Sequence, residues 1–170
     1  AARNTAVGYQ ASLSATTGVG NCSVGHKAGR NTTTGQYNVA LGDQALESGT
    51  TGDKNIAIGG FALDAANSGE HNNIAIGYGS LGAETSGADG CVAVGHKALH
   101  DQDVDGAGNT AVGHQAGYNL TTGQYSTIVG DNAGGIGIIT GNNNCIFGYN
   151  AGYDLTSGHS NVLIGKSAGQ

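Results

Sequence analysis

Asn109 to Tyr125 reads NTAVGHQAGYNLTTGQY, and this stretch decides the fold. It is one copy of a unit that fills the 170-residue chain: N-x-A-[VIL]-G-x-x-A, then a polar run ending in [TS]-[TS]-G. The core glycine recurs at Gly8, Gly25, Gly42, Gly59, Gly77, Gly95, Gly113, Gly130, Gly148 and Gly165. Successive spacings are 17, 17, 17, 18, 18, 18, 17, 18 and 17. Ten copies at a near-constant period predict a solenoid in which each copy forms one coil.

The columns of the repeat predict an all-β architecture. The residue just before the core glycine is always large and apolar: Val7, Val24, Leu41, Ile58, Ile76, Val94, Val112, Val129, Phe147 and Ile164. Two positions earlier the residue is β-branched in eight of ten copies, as at Ile56, Val92 and Val162. A small residue, usually Ala, lies between them. Strand side chains alternate between faces, so one face carries Val, Ile or Leu and the other Ala. Neither face is polar. One face can close the roll, and the other needs a second surface, most simply another copy of the chain. The ten large residues are therefore expected in the roll core or in an interface between copies, because soluble monomers avoid a long exposed apolar stripe.

A second small column follows three residues after the glycine (Ala28, Ala45, Ala98), with Leu or Gly after it (Leu46, Leu99, Gly29, Gly117). This predicts a second short strand and a thin roll. Four residues before the glycine, eight of ten copies carry Asn, a ladder of stacked amides bonded to one another and to turn backbone. The other half of each copy is polar and variable, so the one-residue differences in period are expected there. The whole chain, 1–170, reads as a single repeat domain.

Composition excludes several classes. The 33 glycines do not follow the three-residue period of collagen, and at 11% the charged fraction is low for a disordered segment. A net charge of −6 with only six Lys and Arg excludes nucleic acid as a partner. No apolar run reaches the length of a membrane-spanning helix. The absence of Met predicts a processed chain or an excerpt of a longer fibre. A full copy beginning at Asn4 and a copy cut at Gln170 predict ends that continue into further coils or stack on other copies. Cys22 and Cys145 share a column seven coils apart, about 34 Å at the usual strand spacing, too far for a disulfide. They and Cys91 are expected to be small buried residues.

The motifs NTAVGYQA (4–11), NIAIGGFA (55–62), NNIAIGYGS (72–80) and CVAVGHKA (91–98) resemble the head repeat of trimeric autotransporter adhesins, the YadA-like family. The repeats are also similar to those of bacteriophage tail fibres. The resemblance covers nearly the whole chain at the core motif and departs from it in the longer polar half. It implies a left-handed parallel β-roll or solenoid of ten coils and a homotrimer. It further implies an extracellular location, on a bacterial cell surface or a virion fibre. The function it implies is attachment to a host receptor, glycan or matrix protein.

Few residues suggest chemistry. His26, His96 and His114 directly follow core glycines, in a column that otherwise varies and reads as solvated. His96 and His114 lie on adjacent coils, which places their rings about 5 Å apart. Asp101, Asp103, Asp105 and Gly106 reproduce the opening of a calcium loop, with Asn109 at the ninth position. The twelfth position is Val112, so the bidentate Glu is missing. Calcium is the one cofactor the sequence suggests, weighed against a solvated acidic turn. Asn21, Asn31 and Asn119 head N-x-[ST] sequons, which matter only in a eukaryotic secretory chain. No nucleophile triad or phosphate loop stands out, so no enzyme is expected.

Two other classes compete with the fibre. VGHKAG and LGDQAL fit a hexapeptide acyltransferase motif, but such coils need about three hexapeptides at a strict period, and most coils here offer one. Thr16-Thr17, Thr33-Thr34, Thr50-Thr51 and Thr121-Thr122 make partial ladders suited to ice binding. Adjacent strand residues face opposite ways, however, so TT does not build a flat two-row array.

Overall fold

The computed structural model describes residues 2–65, 69–83, 88–102, 108–135 and 137–170. Ten three-residue strands form one parallel sheet in sequence order: β1 (Thr5–Val7), β2 (Cys22–Val24), β3 (Val39–Leu41), β4 (Ile56–Ile58), β5 (Ile74–Ile76), β6 (Val92–Val94), β7 (Thr110–Val112), β8 (Thr127–Val129), β9 (Cys145–Phe147) and β10 (Val162–Ile164). Every strand pairs with the next in the same phase, as in Ile56↔Ile74, Ala57↔Ala75 and Ile58↔Ile76. The chain is a β-solenoid of about nine turns, and no helix occurs among the described residues. Coils are numbered below by the strand they contain.

The core glycine ends each strand for a steric reason. At Gly95, φ is +135°, and an added Cβ would lie 2.2 Å from the carbonyl oxygen of Gly113. Coils can approach this closely only where no side chain intervenes. In every coil φ is also positive two and four residues after this glycine and five before it.

This recurring left-handed backbone replaces the expected second strand. After the glycine the chain makes a tight turn, as at Gln44 (φ 55°) and Leu46 (φ 53°), in place of extended backbone. The turn keeps the rungs bonded: Leu46 donates its N–H to Ala62 O at 2.9 Å, and Lys97 to Tyr78 O at 2.9 Å. A left-handed residue other than Gly costs about 1–2 kcal/mol. Full burial of a Leu contributes about 1.5–3 kcal/mol, enough to hold Leu46, Leu63, Leu81 and Leu99 in that backbone state.

The interior is filled by size exchange. The middle residue of the strand and the residue four after the glycine face each other across the coil. In coils 3 to 6 the strand contributes Ala (Ala40, Ala57, Ala75, Ala93) and the turn contributes Leu (Leu46, Leu63, Leu81, Leu99). In coils 8 to 10 the strand contributes Ile128, Ile146 or Leu163 and the turn contributes Gly134, Gly152 or Gly169. A Cβ on Gly152 would sit 3.2 Å from Ile146 Cδ1 and 3.2 Å from Leu163 Cδ1. In coil 7 both positions are small (Ala111, Gly117), and Leu120 enters the core instead. Coils 3 to 10 thus each bring at least one large apolar side chain inside, from the strand, the turn or the loop that follows, whereas coil 2 sets Ser23 against Gly29.

The asparagine column runs beside this core. Asn55 Nδ2 donates to Glu70 O at 2.8 Å, and its Oδ1 accepts the N–H of Asn73 at 3.0 Å. The bond from Asn to its own coil spans 14 residues from Asn38 and 15 from Asn55 and Asn73. The extra residue of these longer coils therefore falls in the polar half, as expected. The ladder changes composition at Cys91 and Ser126. Beside Cys91, fully buried Gln102 bridges, with Nε2 at 3.2 Å from Cys91 Sγ and Oε1 accepting from Asn109 Nδ2 at 3.3 Å.

Candidate functional site

Alternation along three-residue strands turns the middle residue inward and both flanking residues outward. The ten large residues before the core glycines therefore stand on the outer face of the sheet, and the roll core is the Ala and Leu column. Val7, Leu41, Ile76, Val112, Phe147 and Ile164 are exposed, up to 67% at Ile164. Val24, Ile58, Val94 and Val129 are half-buried by their neighbours in the same column. The residues two earlier form a parallel outward row, with Ile56, Ile74 and Val92 half-buried and Val162 69% exposed. Together they make an apolar stripe along all ten coils, two aliphatic side chains wide in coils 3 to 6 and in coil 10, with Thr or Cys in the second row elsewhere.

Two of the three cysteines join this stripe. Cys22 is half-buried and Cys145 exposed, which corrects the expectation that both lie inside. They occupy the column of Val39 and Ile56, and that column points out. Cys91 is buried as expected.

The next column, directly after the core glycine, is a file of rings and carboxylates. Tyr78 stacks on His96 with centroids 5.7 Å apart, and His96 on His114 at 5.1 Å and 12° between planes. His114 Nδ1 lies 3.6 Å from Asp131 Oδ1. Higher on the rod, Tyr9 stacks on His26, whose Nδ1 is 2.6 Å from Asp43 Oδ1. That hydrogen bond holds the Asp43 carboxyl below the usual carboxylate range. The spacing of His96 and His114 matches the sequence reading, but two imidazoles on one zinc need nitrogens within about 4.2 Å, twice the metal–nitrogen distance. Among the described residues, no three His, Cys, Asp or Glu side chains gather to hold a metal ion.

A second file lies five residues after the core glycine. Glu47 pairs with Arg30 at 3.3 Å and with Lys27 at 3.6 Å. Asp64 follows, its carboxyl pushed up to about 6, chiefly by burial. Further along, His100 stacks on Tyr118 at 5.0 Å, and its Nδ1 lies 2.5 Å from Asp101 Oδ1.

The proposed calcium ligands do not come together as a set. Asp101 faces His100. Asp103 and Asp105 lie outside the described residues. Asn109 is fully buried in the amide ladder, its Nδ2 donating to Gly123 O at 2.8 Å and its Oδ1 accepting from Ser126 N at 2.7 Å. Its side chain is committed to the ladder, away from any turn ligand set. Asn21 is likewise spent within the ladder, which removes it as a glycan acceptor. The Thr ladders give one free row: Thr16 and Thr33 bond the carbonyls of Thr33 and Thr50 at 3.0 Å, while Thr17, Thr34, Thr51 and Thr122 are exposed.

The chain matches no family model, no characterised protein and no solved structure.

Proposed function

We propose that this chain is a structural and adhesive segment of an extracellular fibre, assembled as a homotrimer through the apolar stripe. One observation carries the reading: ten consecutive coils hold a large apolar residue on an outer face, from Val7 to Ile164, six of them exposed in the single chain. Fully burying such a side chain contributes about 1.5–3 kcal/mol, so a row of ten, six exposed and four half-buried, strongly favours association. The repeat resembles adhesin heads and viral tail fibres, which supports three copies and an attachment role on a bacterial surface or a virion. The polar and aromatic files beside the stripe stay available for a host receptor, glycan or matrix protein.

Sedimentation equilibrium tests the assembly. A trimer is expected, with Ile58→Asp plus Ile76→Asp weakening it by at least about 3 kcal/mol, since two charges would enter an apolar interface. A folded wild-type monomer at micromolar concentration refutes the proposal. The free Thr row favours ice binding only weakly, because a second row in the same plane is missing. Thermal hysteresis is expected to be absent.

A further inference from the structure

Coil 2 differs from the later coils both inside and outside. Inside, Ser23 and Thr32 are buried, and Ser12 Oγ donates to Ser23 Oγ at 2.8 Å. A Cβ on Gly29 would lie 2.5 Å from Ser23 Oγ and 3.7 Å from Thr32 Oγ1, so both hydroxyls line the space beside this glycine. Thr32 stands seven residues after its core glycine, the place held by Leu120 in coil 7, and its Oγ1 has no hydrogen-bond partner. A buried hydroxyl without a partner destabilises the rung that contains it. Outside, Glu47 of coil 3 lies 3.3 Å from Arg30 Nη1 and 3.6 Å from Lys27 Nζ. Among the described residues these are the only ion pairs formed by a lysine or arginine. The Glu47 side chain is 16% exposed, which holds its charge close against both cations. Beside it, His26 Nδ1 meets Asp43 Oδ1 at 2.6 Å. Ionic contacts are thus concentrated where the apolar interior is missing.

From this juxtaposition we infer that the boundary between coils 2 and 3 is a preset opening point of the rod, held shut by an ionic latch on Glu47 and loosened by salt. The device is independent of assembly and goes beyond the fibre reading. Lys27 and Arg30 keep part of their side chains in solvent, so dissolved ions screen their attraction to Glu47. Apolar packing, which joins the later coils, has no such sensitivity. Proteins open locally in cooperative units, beginning where buried apolar contacts are fewest. At this boundary Cys22, Gly29, Gly42 and Gln44 donate their N–H groups to Asn38 O, Ala45 O, Val24 O and His26 O. Opening breaks all of these bonds together. It also bares the edge of β3, whose backbone groups pair with β2 when the rod is closed.

The test is hydrogen exchange of individual backbone amides in the purified chain, at one protein concentration and fixed pH, in about 0.05 M and about 0.5 M sodium chloride. The boundary between coils 8 and 9 is the internal control. There Thr127, Gly134, Gly148 and Asn150 make the equivalent rung bonds, and Ile128 and Ile146 fill the interior. It lies two coils from Gln170, as the tested boundary lies two coils from Ala2, so fraying is matched. Protection of Cys22, Gly29, Gly42 and Gln44 is expected to be roughly tenfold lower than in the control set at the lower salt, and the gap should widen about threefold at the higher salt. Glu47→Gln should show the high-salt gap already at low salt and lose the salt response. Ser23→Ala with Thr32→Leu, which gives coil 2 the interior of coil 7, should bring protection to within about threefold of the control. Equal protection at the two boundaries overturns the inference, and so does a gap that salt leaves unchanged in the wild type. A salt response that survives in Glu47→Gln overturns it too. Should Glu47→Gln fail to fold, the wild-type salt comparison decides alone. A monomer that opens as expected keeps this inference and loses the fibre reading, whereas a trimer with equal boundaries does the reverse.

Discussion

Size exchange inside the coil makes a quantitative prediction about pairs of residues. In coil 3, Ala40 and Leu46 face each other, 1% and 2% exposed. Leu46→Gly removes a buried side chain, which on a large-to-small scale costs about 2–5 kcal/mol. The same change relieves the left-handed strain at φ 53°, returning about 1–2 kcal/mol. Mid-range, the net loss is about 2 kcal/mol, and at this chain length the melting temperature falls by roughly 4–8 °C. Ala40→Ile alone forces three heavy atoms against Leu46 and costs about 1–3 kcal/mol by overpacking.

Together the two changes convert coil 3 to the arrangement already present in coils 8 to 10. The double variant should lie within about 1 kcal/mol of the wild type, a coupling of at least about 2 kcal/mol between contacting residues. Chemical denaturation of the four proteins at one fixed concentration, followed by circular dichroism, measures this cycle. Additive losses, with the double variant worse than either single, would show that the interior does not exchange volume between strand and turn.

Three further outcomes follow from local geometry. Asn73→Ala strips the bonds to Ala88 O (2.6 Å) and Cys91 N (2.8 Å) inside the ladder and should cost about 2–5 kcal/mol in denaturant titrations, because two buried backbone groups lose partners. Gly95→Ala sets a Cβ against the Gly113 carbonyl at 2.2 Å in a backbone state unsuited to L-residues, so it should fail to accumulate as folded protein; a wild-type melting curve would contradict the close-approach argument. Asp64 has a folded pKa raised to about 6, so its burial lowers stability as pH rises from about 4 through 6 and leaves it unchanged below about 4. Asp64→Asn should therefore stabilise the chain above about pH 7, by about 1 kcal/mol once solvent screening is discounted, and have no effect near pH 3.5. A pH-independent difference would point to altered packing instead of charge.

Much of the fold is legible because the repeat supplies ten independent readings of each column. Alternation in Ile56-Ala57-Ile58 fixes which side chain turns inward, and the asparagine column announces its own ladder. The turn after the glycine is harder. Ala45-Leu46 and Ala98-Leu99 carry residues that suit a strand, and nothing local in Leu marks a left-handed backbone. The signal was the Gly that replaces Leu at Gly29, Gly117, Gly134 and Gly152, a substitution a buried strand position would not favour. For Cys22 and Cys145 residue type points inward but column points outward, and column decides: both sit where Val39 and Ile56 point outward. The pairing of Asp43 with His26 depends on side chains one coil apart and shows only in three dimensions.

These constraints divide each coil into parts that tolerate change differently. The core glycine, the amide ladder and the summed interior volume are fixed by close approach, buried hydrogen bonds and packing. The strand must also keep its outer residues apolar if copies meet there, although a single roll would be stabler in water with polar ones. The column after the glycine is under neither restraint: Tyr9, Asp43, Gly60, His96 and Lys166 all occupy it without disturbing the rungs on either side. Recognition chemistry can therefore vary from coil to coil on a backbone that does not respond, and neighbouring coils bring unlike groups within one rung of each other. A partner that reads this surface reads a linear series of side chains, one rung per coil.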